Sequence, residues 1–253
     1  MGNLKEKLKG FSLPVSPSTL LILGYIFAVF GTLIPGKRLL GIIIFVITIT
    51  GHIFYLFSPE QKGVRLLSQA KKYLDKGKSK EGAEALFESA KLNQDRDNLA
   101  KLFGGPCKNP ASYKKAAAIL EKKIPQLDTP YFRLIVGAMN YYVGNVKKAV
   151  DILSKIPEEK RDIKTVRLLG SCLFDLGKFK ESIEVLKEFD PLRFALTQDE
   201  LAIQFGIGIA LARLGMLREA IEYLERVEAK NARFGNVSEL LEKLRKEAGI
   251  EEE

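Results

Sequence analysis

The chain has 253 residues, 46% apolar and 28% charged, with 40 lysines and arginines against 31 aspartates and glutamates and a formal net charge of +9. That is the composition of a folded chain with room for one extended domain and a further element. Two cysteines far apart and a single histidine argue against a zinc site and a disulfide framework, and the lysines lack the interleaved aromatics of a nucleic-acid surface.

Residues 1–16 carry Lys5, Lys7 and Lys9 against Glu6 and read as a polar tail. Ser16 and Pro17 can open a helix, serine as N-cap and proline at the first helical position. Residues 19–34 hold no charge, and a helix over 17–34 would run ~27 Å at 1.5 Å per residue, close to a hydrocarbon core. The segment Pro35-Gly36-Lys37-Arg38 breaks it, and a second uncharged run fills residues 39–57. Two such runs joined by a short turn are expected to form a transmembrane hairpin over residues 17–58. Neither shows the polar face of a soluble core helix, and a cleaved signal peptide would account for the first run alone.

The ends flanking the hairpin carry Lys5, Lys7, Lys9, Lys62, Arg65, Lys71 and Lys72, against Lys37 and Arg38 in the turn. The positive-inside rule then places both termini, and all that follows, in the cytoplasm of a cell membrane crossed twice. Gly24, Ala28 and Gly31 on the first helix, and Gly41, Thr48 and Gly51 on the second, are small faces suited to helix packing. His52 is read either as a functional ionisable group or as a neutral ring bonding backbone or a threonine across the helix interface.

Residues 61–80 are basic: Lys62, Arg65, Lys71, Lys72 and Lys76 head a cluster opposed by Asp75 alone. It is read as an anionic-lipid contact or as a solvated helix face. The short connection after Pro59 predicts a domain mounted on the hairpin, with little linker.

The remainder repeats. Gly137, Gly144 and Ala149 have counterparts 33 residues on at Gly170, Gly177 and Ser182, and again, after an insertion, at Gly208, Gly215 and Ala220; one step backwards reaches Gly104 and Ala116. A period of this length means stacked helical hairpins: helix A, a turn at Gly77, Gly144, Gly177 or Gly215, and helix B. Small residues at Gly137 and Ala149 let the two axes approach, with Val136, Val146, Ile152 and Leu153 filling the seam. Cys172 falls on a buried helix A position and is read as a small apolar residue, a disulfide with Cys107 being the alternative.

Leu169-Gly170 with Leu173 before the turn, and Ala220 with Leu224 or Ala149 with Leu153 after it, resemble the tetratricopeptide-repeat family across residues 64–227. The family's tryptophan is missing, and its tyrosine persists at Tyr73 alone. The resemblance implies an all-α fold: the hairpin, an α-solenoid of about five tetratricopeptide-like units over residues 59–253, and a C-terminal capping helix. It also implies a protein-binding scaffold without catalytic chemistry or cofactor.

The first unit is a weak match, with Ala70 and Gly82 at the small positions. The second is broken: its helix A, over 95–103, runs into Gly104-Gly105-Pro106. The loop GGPCKNP is either a contact loop or the remnant of a degenerate repeat. In this family helix A lines the groove, which places Tyr131, Leu134, Ala138, Tyr141 and Tyr142 there, then Lys164, Arg167, Ser171, Phe174 and Asp175, then Ala202, Phe205, Ile209 and Arg213. Ala138, Ser171 and Ile209 stand where members that clamp a peptide carboxylate carry asparagine. An aromatic-apolar floor with Lys164, Arg167 and Arg213 around it suits an amphipathic or apolar segment bearing acidic residues; packing between repeats is the plainer reading of these aromatics. The insertion at 191–200 lengthens the last step, Asn236 with Glu239 reads as a capping box before the end helix, Gly249 stops that helix, and Glu251 to Glu253 form a tail.

The expected function is that of a membrane-anchored scaffold or adaptor. The alternative is an accessory subunit of a channel, transporter, translocase or protease, in which the hairpin makes the main contacts.

Overall fold

The computed structural model describes residues 17–34, 38–92, 99, 108–189 and 196–250. The N-terminal tail, the Pro35–Lys37 turn, most of the broken second helix A and of the GGPCKNP loop, the start of the insertion and the acidic tail lie outside them. Among the described residues there are twelve α-helices and no strand. The chain divides into two compact units, Met1–Lys62 and Gly63–Glu253.

In the first unit α1 (Pro17–Leu33) packs along α2 (Arg38–Leu56). Glycine makes the approach possible: a methyl built on Gly24 would stand 2.7 Å from the Thr48 hydroxyl oxygen, and one on Gly31 2.9 Å from the Gly41 Cα. Ala28 is buried between them. The Thr48 hydroxyl donates to the Ile44 carbonyl at 2.8 Å, so its polar atom is satisfied within its own helix. Gly51, expected on the same face, meets nothing within 4 Å and lies away from the interface. Large apolar side chains such as Phe27, Phe30, Ile47 and Phe54 point outward. Leu39–Leu56 is the one helix among the described residues long and apolar enough to cross a membrane, with a mean hydropathy of 2.3 and 11% of its residues buried; the apolar stretch of α1, Leu21–Leu33, is shorter.

α3 (Pro59–Asp75) contains the boundary between the units, and the second unit runs on from its Gly63 through α4 (Ser79–Leu92), α5 (Pro110–Lys123), α6 (Pro130–Tyr142), α7 (Val146–Leu153), α8 (Ile163–Asp175), α9 (Phe179–Lys187), α10 (Gln198–Arg213), α11 (Leu217–Lys230) and α12 (Val237–Glu247). Helices adjacent in sequence pack in neighbouring pairs: α4 on α5, α6 on α7, α8 on α9, α10 on α11 and α11 on α12. The four turn glycines have φ of +82° (Gly77), +81° (Gly144), +73° (Gly177) and +76° (Gly215), the left-handed region where a side chain is strained. At each, the next residue's N–H reaches back to a helix A carbonyl: Lys78 to Tyr73 at 2.9 Å, Asn145 to Asn140 at 2.8 Å, Lys178 to Leu173 at 2.9 Å and Met216 to Leu211 at 3.1 Å. This is the Schellman closure, made four times with one geometry.

A second repeated contact closes each pair joined by one of these glycine turns. Methyls built on Gly137, Gly170 and Gly208 would lie 2.6, 2.5 and 2.8 Å from Leu153, Leu186 and Leu224. Each leucine comes nine residues after its turn glycine and is buried. In the first pair the partners exchange helices, Leu74 of α3 pressing on Gly82 of α4 with 2.5 Å to a built methyl. The seam therefore needs a leucine opposite a missing side chain, on either helix.

The broken second repeat keeps its helix B as α5. Asn109 caps it, accepting from the Ser112 N–H at 3.1 Å, and Ala116 is buried at the expected small position. The capping box sits elsewhere than expected: Thr197 and Glu200 exchange bonds of 3.3 and 2.6 Å at the start of α10. Asn236 has a left-handed φ of 56° and makes no side-chain cap bond; a capping side chain needs extended backbone to face the helix N–H groups. Gly249, φ +67°, ends the chain's last helix as expected, with the Ile250 N–H on the Arg245 carbonyl at 2.9 Å.

The seam makes a quantitative prediction. Gly170→Ala should destabilise the chain by ~1–3 kcal/mol through overpacking against Leu186, measured by urea unfolding in mild detergent. Gly51→Ala, into open space, should cost nothing and should gain up to ~1 kcal/mol from alanine's higher helix propensity.

Candidate functional site

A pocket of about 250 Å3 opens between α8 and α10. Arg167, Ser171, Phe174 and Asp175 come from α8, Ala202, Gly206 and Ile209 from α10, and Tyr141 from the end of α6; Gly170, Ser182 and Leu186 lie deeper. Its depth follows from small residues. Gly170, Ser171, Ala202 and Gly206 leave the space between the two A helices unfilled, so it reaches the helix B layer, where a methyl on Gly206 would stand 3.0 Å from Leu186. The pocket also lies where the apolar core of the unit divides, between a cluster around Phe132, Tyr113 and Leu153 and another around Ile207, Leu224 and Leu241.

Polar contacts across the period frame it. The Tyr141 hydroxyl donates to Asp175 at 2.9 Å. Burial, then the Asp175 carboxylate, pushes the Tyr141 hydroxyl up to about 12. Arg167 forms an ion pair with Asp199 at the start of α10. The Ser171 hydroxyl donates to the Arg167 carbonyl at 2.9 Å and the Ser182 hydroxyl to the Gly170 carbonyl at 2.8 Å, so both donors serve backbone. Beneath them Cys172 is buried and free, its thiol pushed up to about 12 by burial first and Asp175 second. It is the small apolar residue read from the sequence; Cys107 lies outside the described residues.

Of the expected groove positions, Tyr141, Arg167, Ser171, Phe174, Asp175, Ala202 and Ile209 come together here. Tyr131 and Leu134 do not belong to a groove: they are 0% and 3% exposed, in the core. The start of α6 is covered by α4 and α5, with Phe87 edge-on to Phe132 at 5.4 Å, so positions open in a regular repeat are closed in this one. Tyr142 is half-buried against Tyr113 at 5.4 Å, Phe205 packs on Phe234 at 5.6 Å, and Ala138, Lys164 and Arg213 lie outside the pocket. Gly206 and Asp199 were not singled out from the sequence. Asp199 follows Arg167 by 32 residues, close to the repeat, which was the available signal.

In the first unit the Tyr25 hydroxyl and His52 Nδ1 are 3.2 Å apart across the helix pair. The histidine's partner is therefore a tyrosine, where backbone or threonine was expected. On α3 and the turn after it, Lys62, Arg65, Lys72 and Lys76 are exposed and Lys71 is half-buried. Asp75, the one acid in their midst, is engaged by the Tyr113 hydroxyl at 2.9 Å.

Helix pairs with a recurring turn, a recurring seam and ties one period apart make a helical-repeat packing that fits an α-solenoid. No protein-family model matches the chain, and no curated protein matches it either.

Two groups, Tyr141 in the pocket wall and Cys172 beneath it, have a readable sign. Tyr141 and Cys172 are both raised in the folded state, from 10.0 and 9.0 to about 12, so the folded chain favours their protonated forms. Their contribution is complete below about pH 9 and is lost as pH rises towards 12. Tyr141→Phe with Cys172→Ala should flatten the decline in stability between pH 9 and 12 relative to the parent, measured by denaturant unfolding at stepped pH.

Proposed function

We propose that the chain is a membrane-anchored scaffold of the tetratricopeptide type, which docks a protein partner on its cytoplasmic repeat array and holds it at the membrane. The hairpin is the anchor and crosses the membrane twice. The outward apolar side chains of both helices support this, as does the low burial of Leu39–Leu56, since a soluble core helix of that hydropathy would be mostly covered. The lysine and arginine bias orients it, with both ends cytoplasmic. The partner is an amphipathic or apolar segment, whose acidic residues face Lys164 and Arg213 outside the pocket.

One observation carries the docking half of this reading: seven positions chosen from the repeat register line one open, partly apolar pocket. The array acts by binding, and the reading assigns it no catalysis.

The test uses the tagged full chain in native membranes. Carbonate washing should leave it in the membrane fraction, and its release would end the anchor reading. After mild detergent extraction a co-purifying protein should be lost from Gly206→Leu, which fills the pocket, and from Tyr141→Ala. A partner retained by both variants would move the contact to the hairpin, and the chain would then be an accessory subunit of a membrane complex.

A further inference from the structure

The charge inside the pocket is unbalanced. Its lining holds two charged side chains, Arg167 and Asp175. Arg167 is already paired with Asp199. Asp175 accepts from Tyr141, a neutral donor, and among the described residues no basic side chain forms an ion pair with it. Arg213, at the same position one repeat on, is exposed and leaves Asp175 unpaired. The carboxylate is therefore held in a fixed direction by the Tyr141 hydroxyl, at the mouth of a pocket whose other walls are Phe174, Leu186, Ile209, small residues and Arg167, whose charge is met by Asp199. A cation over an aromatic ring and against a carboxylate is favoured by both. The volume selects the size of occupant: drug-sized ligands take ~300–1,000 Å3, and about 250 Å3 suits a single long side chain.

We propose that this pocket receives one basic side chain of the docked protein, a lysine or arginine projecting from the apolar face of the docked segment, whose acidic residues lie outside the pocket. Its methylenes lie along Phe174 and the small-residue floor, and its charge meets Asp175 beside the Tyr141 ring. The inference rests on the docking reading above and adds the identity of the residue that enters. An acidic residue in the same place would face Asp175 with Arg167 already engaged, so the pocket discriminates by sign.

Three fluorescent amphipathic helical peptides, identical except for Arg, Gln or Glu at the centre of the apolar face, test this by anisotropy on the full chain in nanodiscs. The Arg peptide should bind about tenfold more tightly than the Glu peptide, and Asp175→Asn should bring the two within about twofold. That variant keeps an acceptor for the Tyr141 hydroxyl at an exposed position, so the fold is left intact. Equal affinities, a preference for Glu, or a preference for Arg that survives Asp175→Asn would each overturn the inference while docking itself stands. Failure of all three peptides to bind would remove the pocket as a docking site, and the inference with it.

Discussion

A leucine pressed into the space of a missing side chain is the contact on which the repeat array depends. Two helices can lie at close range only where one presents no Cβ, and Gly137, Gly170 and Gly208 do so opposite Leu153, Leu186 and Leu224. Dispersion falls steeply with separation, so the leucine gains most where the opposing axis is nearest. Closure of the turn by a left-handed glycine fixes the register that brings the two together. Four Schellman turns and three equivalent seams are thus one device repeated, with the first pair using it in reverse through Leu74 and Gly82.

The pocket follows from the same device. Ser182 occupies the second small position of its hairpin and spends its hydroxyl on the Gly170 carbonyl, so the seam is closed from inside by a hydrogen bond. With Gly170, Ser171, Ala202 and Gly206 all small, the next A helix cannot fill the space left between α8 and α10. The ties that remain are polar and span one period, Tyr141 to Asp175 and Arg167 to Asp199. They neutralise the arginine and leave the carboxylate directed outward.

Much of this was legible in the sequence because it is local. The turn glycines, their spacing to Gly137 and Gly170, the breaker at Gly249 and both apolar helices are fixed by residues close to one another in the chain. What was missed depends on neighbours. Tyr131 and Leu134 hold the register of groove residues, yet the preceding helices cover them, and helical periodicity carries no information about the covering. Asn236 has the spacing of a capping box but a left-handed backbone, set by the turn that enters α12. Gly51 was expected on one face with Gly41, yet a methyl built on it meets nothing within 4 Å: its position points away from the partner helix while the neighbouring His52 faces it. Tyr25 and His52 meet across the pair, a cross-helix contact invisible to a scan along one helix.

Gly170 is glycine because Leu186 stands where its side chain would be. A double-mutant cycle of Gly170→Ala and Leu186→Ala, read as unfolding free energy of the full chain, tests that pair alone. Gly170→Ala should be nearly harmless once Leu186 is alanine, a coupling of at least about 1 kcal/mol. Costs that add to within ~0.5 kcal/mol would mean the two residues do not sense each other, and the seam would have to be located elsewhere.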